Sequence, residues 1–267
     1  MPTTPRPEVA VIGGGLAGLS AAVVAATNGA RVSLFERASQ PGGRAITTSA
    51  NGFLFNIGPH ALYSGAEAML TDLGVTVSGG YPPLNRTVAW RGGGRYRLPL
   101  GGASLLATGL LGVRDKLEAG RLLAGLSRID SAPLQAVTAR DWLDQTIHSQ
   151  RVRQLMEALF RVSSYANGPV VASAGAHLDQ LRAASRRSVR YPDGGWQTIV
   201  NGLRQRAIDE GVSLKTGARV HAVVPSESGW RLRLGSGEVH ADSVILALGP
   251  REAAGVVEGT AQPAIDR

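Results

Sequence analysis

Between Glu8 and Glu36 the chain reads EVAVIGGGLAGLSAAVVAATNGARVSLFE, and few architectures accept that order. Val9 to Ile12 is a short apolar run, as a buried parallel strand requires. Glycines follow at Gly13, Gly15 and Gly18 in the spacing G-x-G-x-x-G. Leu16 to Asn28 is almost entirely small and apolar, which predicts a helix stopped at Gly29. Arg31 to Phe35 predicts a second strand, and Glu36 ends it.

Each residue type has a physical reason in this order. Gly13 permits the tight turn out of the strand, Gly15 lets a pyrophosphate approach bare backbone, and Gly18 lets the helix pack closely on the sheet. The helix start at Leu16 and Ala17 offers unpaired N–H groups and a partial positive charge to phosphates. Glu36 lies about 20 residues beyond the glycines, where an acid accepts hydrogen bonds from the ribose hydroxyls of an adenosine. An acid there also repels a 2′-phosphate, which argues against NADP. The alternative is a glycine-rich turn of some other α/β protein. The strand before, the helix after and the acid-ended second strand weigh against it.

Pro41-Gly42-Gly43-Arg44 forms a second bare turn, and its arginine suits the far side of the same pyrophosphate. Together IGGGLAGLSAA, LFERASQPGGRA and GFLFNIGPHAL resemble the N-terminal part of the flavin-dependent amine oxidase, phytoene desaturase and protoporphyrinogen oxidase superfamily. The likeness is strongest to bacterial phytoene desaturase-like members. That resemblance implies FAD as cofactor. It implies a diphosphate and ribose site at Gly13, Gly15, Leu16, Ala17, Gly18, Glu36, Arg37, Gly42, Gly43 and Arg44. It also implies that Gly58, Pro59 and His60 lead toward the isoalloxazine and that Val220 meets the adenine through its main chain. For His60 the alternative is a loop histidine bonded to backbone.

Further along, Asn51-Gly52 signals a tight turn between two strands, AEAMLTDLG a helix, and TVAWRGGGRYRLPL a hairpin. Helical patterns follow: Leu98 to Val113, then RDKLEAGRLLAGL, then TARDWLDQ with a Thr138/Asp141 capping signal, then QRVRQLMEALFRVSSY. From Tyr191 the pattern predicts a helix over Trp196–Asp209, a short strand at Val212–Leu214, an antiparallel meander (Val220–Val224, Trp230–Leu234, Glu238–Ala241) and a buried parallel strand at Val244–Leu248. The fold class is therefore α/β, a Rossmann-like FAD-binding domain in two parts, 1–84 and 191–267. An inserted, mainly helical substrate-type domain occupies 85–190. Leu98 to Val113 carries no charge and could lie on a bilayer surface. A core helix beside a greasy substrate cavity is the plainer reading, since the run is short of a spanning length and rich in glycine.

Composition removes other chemistries. The 267 residues contain no cysteine, so disulfides, thiolate metal sites and cysteine nucleophiles are excluded. The histidines have no metal-ligand spacing, and no metal is expected. The N-terminus lacks a secretory apolar core, which suggests a cytoplasmic protein. The net charge of +8 is nearly all arginine, with lysine only at Lys116 and Lys215. The cluster RAASRRSVR, Arg182 to Arg190, lacks the interleaved aromatics of a nucleic-acid platform and reads as a solvated loop rather than a nucleic-acid site.

The superfamily pattern continues with more substrate domain and a C-terminal segment over the flavin ring. Nothing before Arg267 resembles that segment. Two readings follow. One is an FAD-dependent oxidoreductase that removes hydride from a hydrophobic small-molecule substrate and is incomplete as a single chain. The other is a non-catalytic dinucleotide-binding module or remnant that needs a second chain to supply the C-terminal half. No catalytic acid or base is named, because the cofactor itself carries the hydride chemistry.

Overall fold

A computed structural model describes residues 5–58, 61–82, 87–185 and 189–258. The chain forms two compact units. One comprises Met1–Gly80 with Tyr191–Arg267, and the other is Tyr81–Arg190.

The first unit begins with β1 (Glu8–Ile12), α1 (Leu16–Thr27) and β2 (Arg31–Phe35), matching the expected elements to within a residue. A ribbon of β3 (Thr47–Ala50) and β4 (Phe53–Asn56) follows. Its turn is Asn51-Gly52 with φ of 50° and 80°. Both left-handed, these fit the type I′ turn that the Asn-Gly pair predicts. Then come β5 (Leu62–Tyr63), α2 (Ser64–Asp72) and β6 (Gly79–Gly80).

The second unit holds a hairpin, β7 (Val88–Arg91) and β8 (Gly94–Arg97), turned on Gly92-Gly93, and then helices. These are α3 (Gly102–Ala107), α4 (Val113–Gly125), α5 (Ala139–Thr146), α6 (Gln150–Ser164) and α7 (Ala174–Ser185). Leu143, Ile147, Val152, Met156 and Leu178 are fully buried among them. Each such side chain contributes about 1.5–3 kcal/mol. Thr138 caps α5, its Oγ1 accepting the Asp141 N–H at 3.1 Å, as the sequence predicts. The single core helix expected over Leu98–Val113 does not form. The chain makes the six-residue α3, leaves helix at Thr108 and begins α4 at Val113. Gly109 and Gly112 explain the break, since glycine disfavours helix interiors. Arg182, expected in a solvated loop, instead lies on α7. Its guanidinium donates to the carbonyls of Leu126 and Ile129 and pairs with Asp179 at 2.9 Å. Arg186 and Arg187 lie outside the described residues.

The chain returns through β9 (Val189–Pro192) to α8 (Gln197–Asp209), β10 (Ser213–Lys215), β11 (Val220–Ser226), β12 (Gly229–Leu234), β13 (Gly237–Ala241), β14 (Ser243–Leu246) and α9 (Pro250–Val256). The sheet order is β10-β2-β1-β14, all parallel. Alternation along its strands sends Val11, Val32 and Leu34 into one core with α1 and α8. Ala10, Ile12 and Phe35 point the other way, into a core with the antiparallel meander β11–β13. The sheet is thus covered on both faces, which is why β1 and β2 lack a polar side. β14, expected to be buried, is only half-buried, because among the described residues it is an edge strand.

Candidate dinucleotide site

Parallel α/β sheets bind ligands beyond the carboxyl ends of their strands, where the strand order reverses. Here that point lies between β1 and β14, and the first glycine turn sits on it. Gly13 has φ 106°, and a side chain there would run into the Ala247 carbonyl just past β14. Gly18 lies against the Gly13 carbonyl with no room for a Cβ, so α1 packs directly on the end of β1. These two glycines are required by the fold.

Gly15 differs. Its φ of −74° and ψ of −176° suit any residue, and a Cβ there would meet nothing within 4 Å. It is the N-cap of α1, yet no side chain caps the helix, and the first helical bond runs from Leu19 N–H to the Gly15 carbonyl. The N–H groups of Leu16, Ala17 and Gly18 precede that bond. No acid lies in the first turn. The protein's own packing gives no reason for a bare residue at 15.

The second glycine turn folds onto the first. Gly42 N–H donates to the Gly14 carbonyl at 2.8 Å, and Gly15 and Gly42 form an isolated parallel bridge. Gly42 has φ 134°, a backbone state that only glycine adopts easily. A Cβ on Gly43 would lie 3.5 Å from Gly15 Cα, so the two bare positions face one another. Gly43 and Arg44 are exposed, and Gly58 packs against the Arg44 carbonyl. Pro59 and His60 lie outside the described residues.

Glu36 is 9% exposed. Its Oε2 accepts the Gly14 N–H at 2.7 Å, and its Oε1 accepts the Ala38 N–H at 2.8 Å. The carboxylate therefore stiffens the glycine turn, and each oxygen keeps a further acceptor site. Gly14 is the residue that sequence reasoning passed over. Its signal was the middle glycine of the run Gly13-Gly14-Gly15, at the one position where Glu36 leaves no room for a Cβ. Arg37 is exposed beside Glu36. The stretch before β11 is tied to this segment, with Gly217 N–H donating to Ala38 and Ala218 N–H to Glu36. That join carries Val220, buried among Phe35 and the meander, to the same end of the sheet. A polar groove of about 500 Å³ lined by Gln40, Gln197, Asn201 and Arg204 lies behind Pro41. Neither Gly15 nor Glu36 lines it, so it is distinct from the cradle.

The strand order, with a glycine turn at the carboxyl ends of β1 and β14, defines a doubly wound α/β protein of the dinucleotide-binding type. More particularly, the chain belongs to the flavin-containing amine oxidoreductase family, whose pattern matches residues 16–267. The resemblance read from the sequence and its flavin cofactor agree with this family. The chain is 28% identical to a 4,4′-diaponeurosporene oxygenase of Staphylococcus aureus, over 89% of this chain and 55% of that protein. An oxidoreductase from Methanosarcina mazei has the same fold, with a TM-score of 0.76 at 19% identity. That match covers 96% of this chain and 63% of the other. Putrescine oxidase bound to putrescine gives a TM-score of 0.74 at 22% identity, over 95% of this chain and 60% of its own. The chain thus spans about half the length of the curated relatives it matches, and more than a third of each protein named here has no counterpart in it. No helix among the described residues is long and apolar enough to cross a membrane.

Proposed function

We propose that this chain is the cofactor-binding portion of an FAD-dependent oxidoreductase that removes hydride from a hydrophobic substrate, of desaturase or amine oxidase type, and that it is incomplete as a single chain. The observation that carries the reading is Gly15, a residue kept bare where the fold leaves space, at an uncapped helix start faced by a second glycine turn. A diphosphate fits that cradle. The N–H groups of Leu16, Ala17 and Gly18 donate to its oxygens, and the helix dipole favours its charge. Gly42 and Gly43 close the opposite side without side chains, and Arg44 at the rim neutralises a second phosphate charge. Glu36, already anchored by Gly14 and Ala38, accepts from the ribose hydroxyls with its remaining lone pairs. Arg37 and the main chain of Val220 flank the adenosine. When bound, the flavin ring is the hydride acceptor. Gly58, packed against the Arg44 carbonyl, belongs to the segment assigned to the ring side of the cofactor. We assign cofactor binding to residues 1–84 with 191–267, and substrate contact to 85–190.

The alternative is a dinucleotide-binding module that acts only with a second chain. It is favoured by the relatives' greater length. Thermal-shift titration with FAD, NAD and NADP tests the cofactor assignment. FAD at a hundred times its Kd should stabilise the chain by about 2.7 kcal/mol, and stabilisation by NADP alone overturns the proposal. Added polyene or amine should give little turnover. A rate of about 1 per second or more from the chain by itself overturns the incompleteness.

A further inference from the structure

The β3–β4 ribbon has an unusual surface. Phe53, Phe55 and Ile57 are 68%, 53% and 62% exposed. They alternate along β4 and its extension, so they share one face. The Phe53 and Phe55 rings lie 6.5 Å apart. Ile57 N–H donates to the Ile46 carbonyl, which fixes the ladder. Residues 53, 55 and 57 turn their backbone groups toward β3, and Leu54 and Asn56 turn theirs away. Among the described residues the sheet has two strands, and no strand lies beside that outer edge. Exposed edges are usually guarded by charge, proline or a bulge. No charged or proline residue occurs from Ala45 to Gly58, and the ribbon's register is regular throughout. Two-stranded ribbons are marginal in water without further cover.

We propose that the β4 edge is a self-association surface, on which a second copy of this chain pairs antiparallel about a two-fold axis. The edge is self-complementary in one register, with Phe55 opposite Phe55 of the second copy. In that register the outward backbone groups of Leu54 meet those of Asn56 in the other chain, giving four hydrogen bonds and a four-stranded sheet. Phe55 then forms a non-hydrogen-bonded pair with its copy, where Cα atoms approach to about 4.5 Å. Phe53 of each chain lies opposite Ile57 of the other, so one continuous apolar face forms across the axis. A two-fold axis closes the assembly at two chains. A fully buried aromatic side chain covers roughly 150–250 Å², and Phe53, Phe55 and Ile57 are already about one-third to one-half covered in the monomer, so the contact falls below the ~1,000 Å² of a standard specific interface. The dimer is therefore a weak one that dissociates on dilution.

The Phe55 pairing supplies the test. Phe55→Asp and Phe55→Lys each place like charges opposite one another at the axis, on a side chain that the monomer does not bury. Sedimentation velocity on the purified 267-residue chain over a dilution series should show a monomer–dimer equilibrium. Each variant should stay monomeric with an unchanged thermal midpoint. An equimolar mixture of the two variants should recover the dimer, because only Asp opposite Lys satisfies the register. A wild-type chain that stays monomeric overturns the proposal. So do assemblies larger than two, a dimer that survives Phe55→Asp, and variants that fail to recombine. A different occupant, such as another polypeptide covering the ribbon, would appear as a monomeric wild-type chain.

Discussion

Gly15→Ser separates what the fold needs from what a ligand needs. The structure gives a Cβ at 15 no neighbour within 4 Å and a backbone open to any residue. Serine is also a preferred N-cap, and its hydroxyl can accept an N–H of the first turn of α1, worth only a few tenths of a kcal/mol over glycine. The variant should therefore unfold within about 2 °C of the wild type, since 1 kcal/mol moves the midpoint by roughly 2–4 °C for 150–250 residues. Cofactor binding should respond very differently. A side chain at 15 occupies the space above the helix N-terminus, and its hydroxyl competes for the same donors. Losing two charge-assisted hydrogen bonds, at about 1.5–3 kcal/mol each, removes about 3–6 kcal/mol, at least a hundredfold in affinity. The assay is a thermal melt of ligand-free protein together with an FAD titration followed by flavin fluorescence. An unchanged Kd would show that phosphate does not approach at Gly15. A large drop in stability without ligand would show that the fold, not a ligand, requires the glycine. Either result refutes the reasoning.

Other substitutions probe the surroundings. Glu36→Ala strands the N–H groups of Gly14 and Ala38, so it should lower stability by ~1–3 kcal/mol and also weaken adenosine binding. Calorimetric titration with ADP reads the second effect, and an unchanged Kd there would remove Glu36 from the ribose. Thr138→Ala should cost about 0.5–2 kcal/mol through loss of the α5 cap, measured by denaturant unfolding. The ring of His177, buried edge-on against Phe160, has its pKa pushed down by burial. The unfolded chain takes up that proton first, so stability is full above the ordinary histidine value of ~6.5 and falls as pH drops below it. The slope from one proton is at most about 1.4 kcal/mol per pH unit, and His177→Gln should flatten it. Equal acid sensitivity in both proteins would contradict the assignment.

The sequence alone determined the elements whose signals are local. A β-branched run, a glycine spacing and an acid-ended second strand fixed β1, α1 and β2. Asn51-Gly52 fixed the ribbon's turn, because only residues tolerant of left-handed backbone close a two-residue loop. Thr138 and Asp141 marked the α5 cap. Tertiary structure decided what depends on partners far along the chain. Leu98 to Val113 reads as one apolar helix, yet its glycines let the chain break where packing among α4–α7 is better satisfied. Nothing around Val244 says that β14 lies on an edge, for strand order is set by crossover connections and not by composition. The site shows the same division. The two glycine turns were visible as motifs, but their meeting rests on the Gly42–Gly14 hydrogen bond across 28 residues. Only the folded chain shows that Gly13 and Gly18 are bare for packing while Gly15 is bare for no reason within the protein, because only there can one ask what a missing side chain would touch.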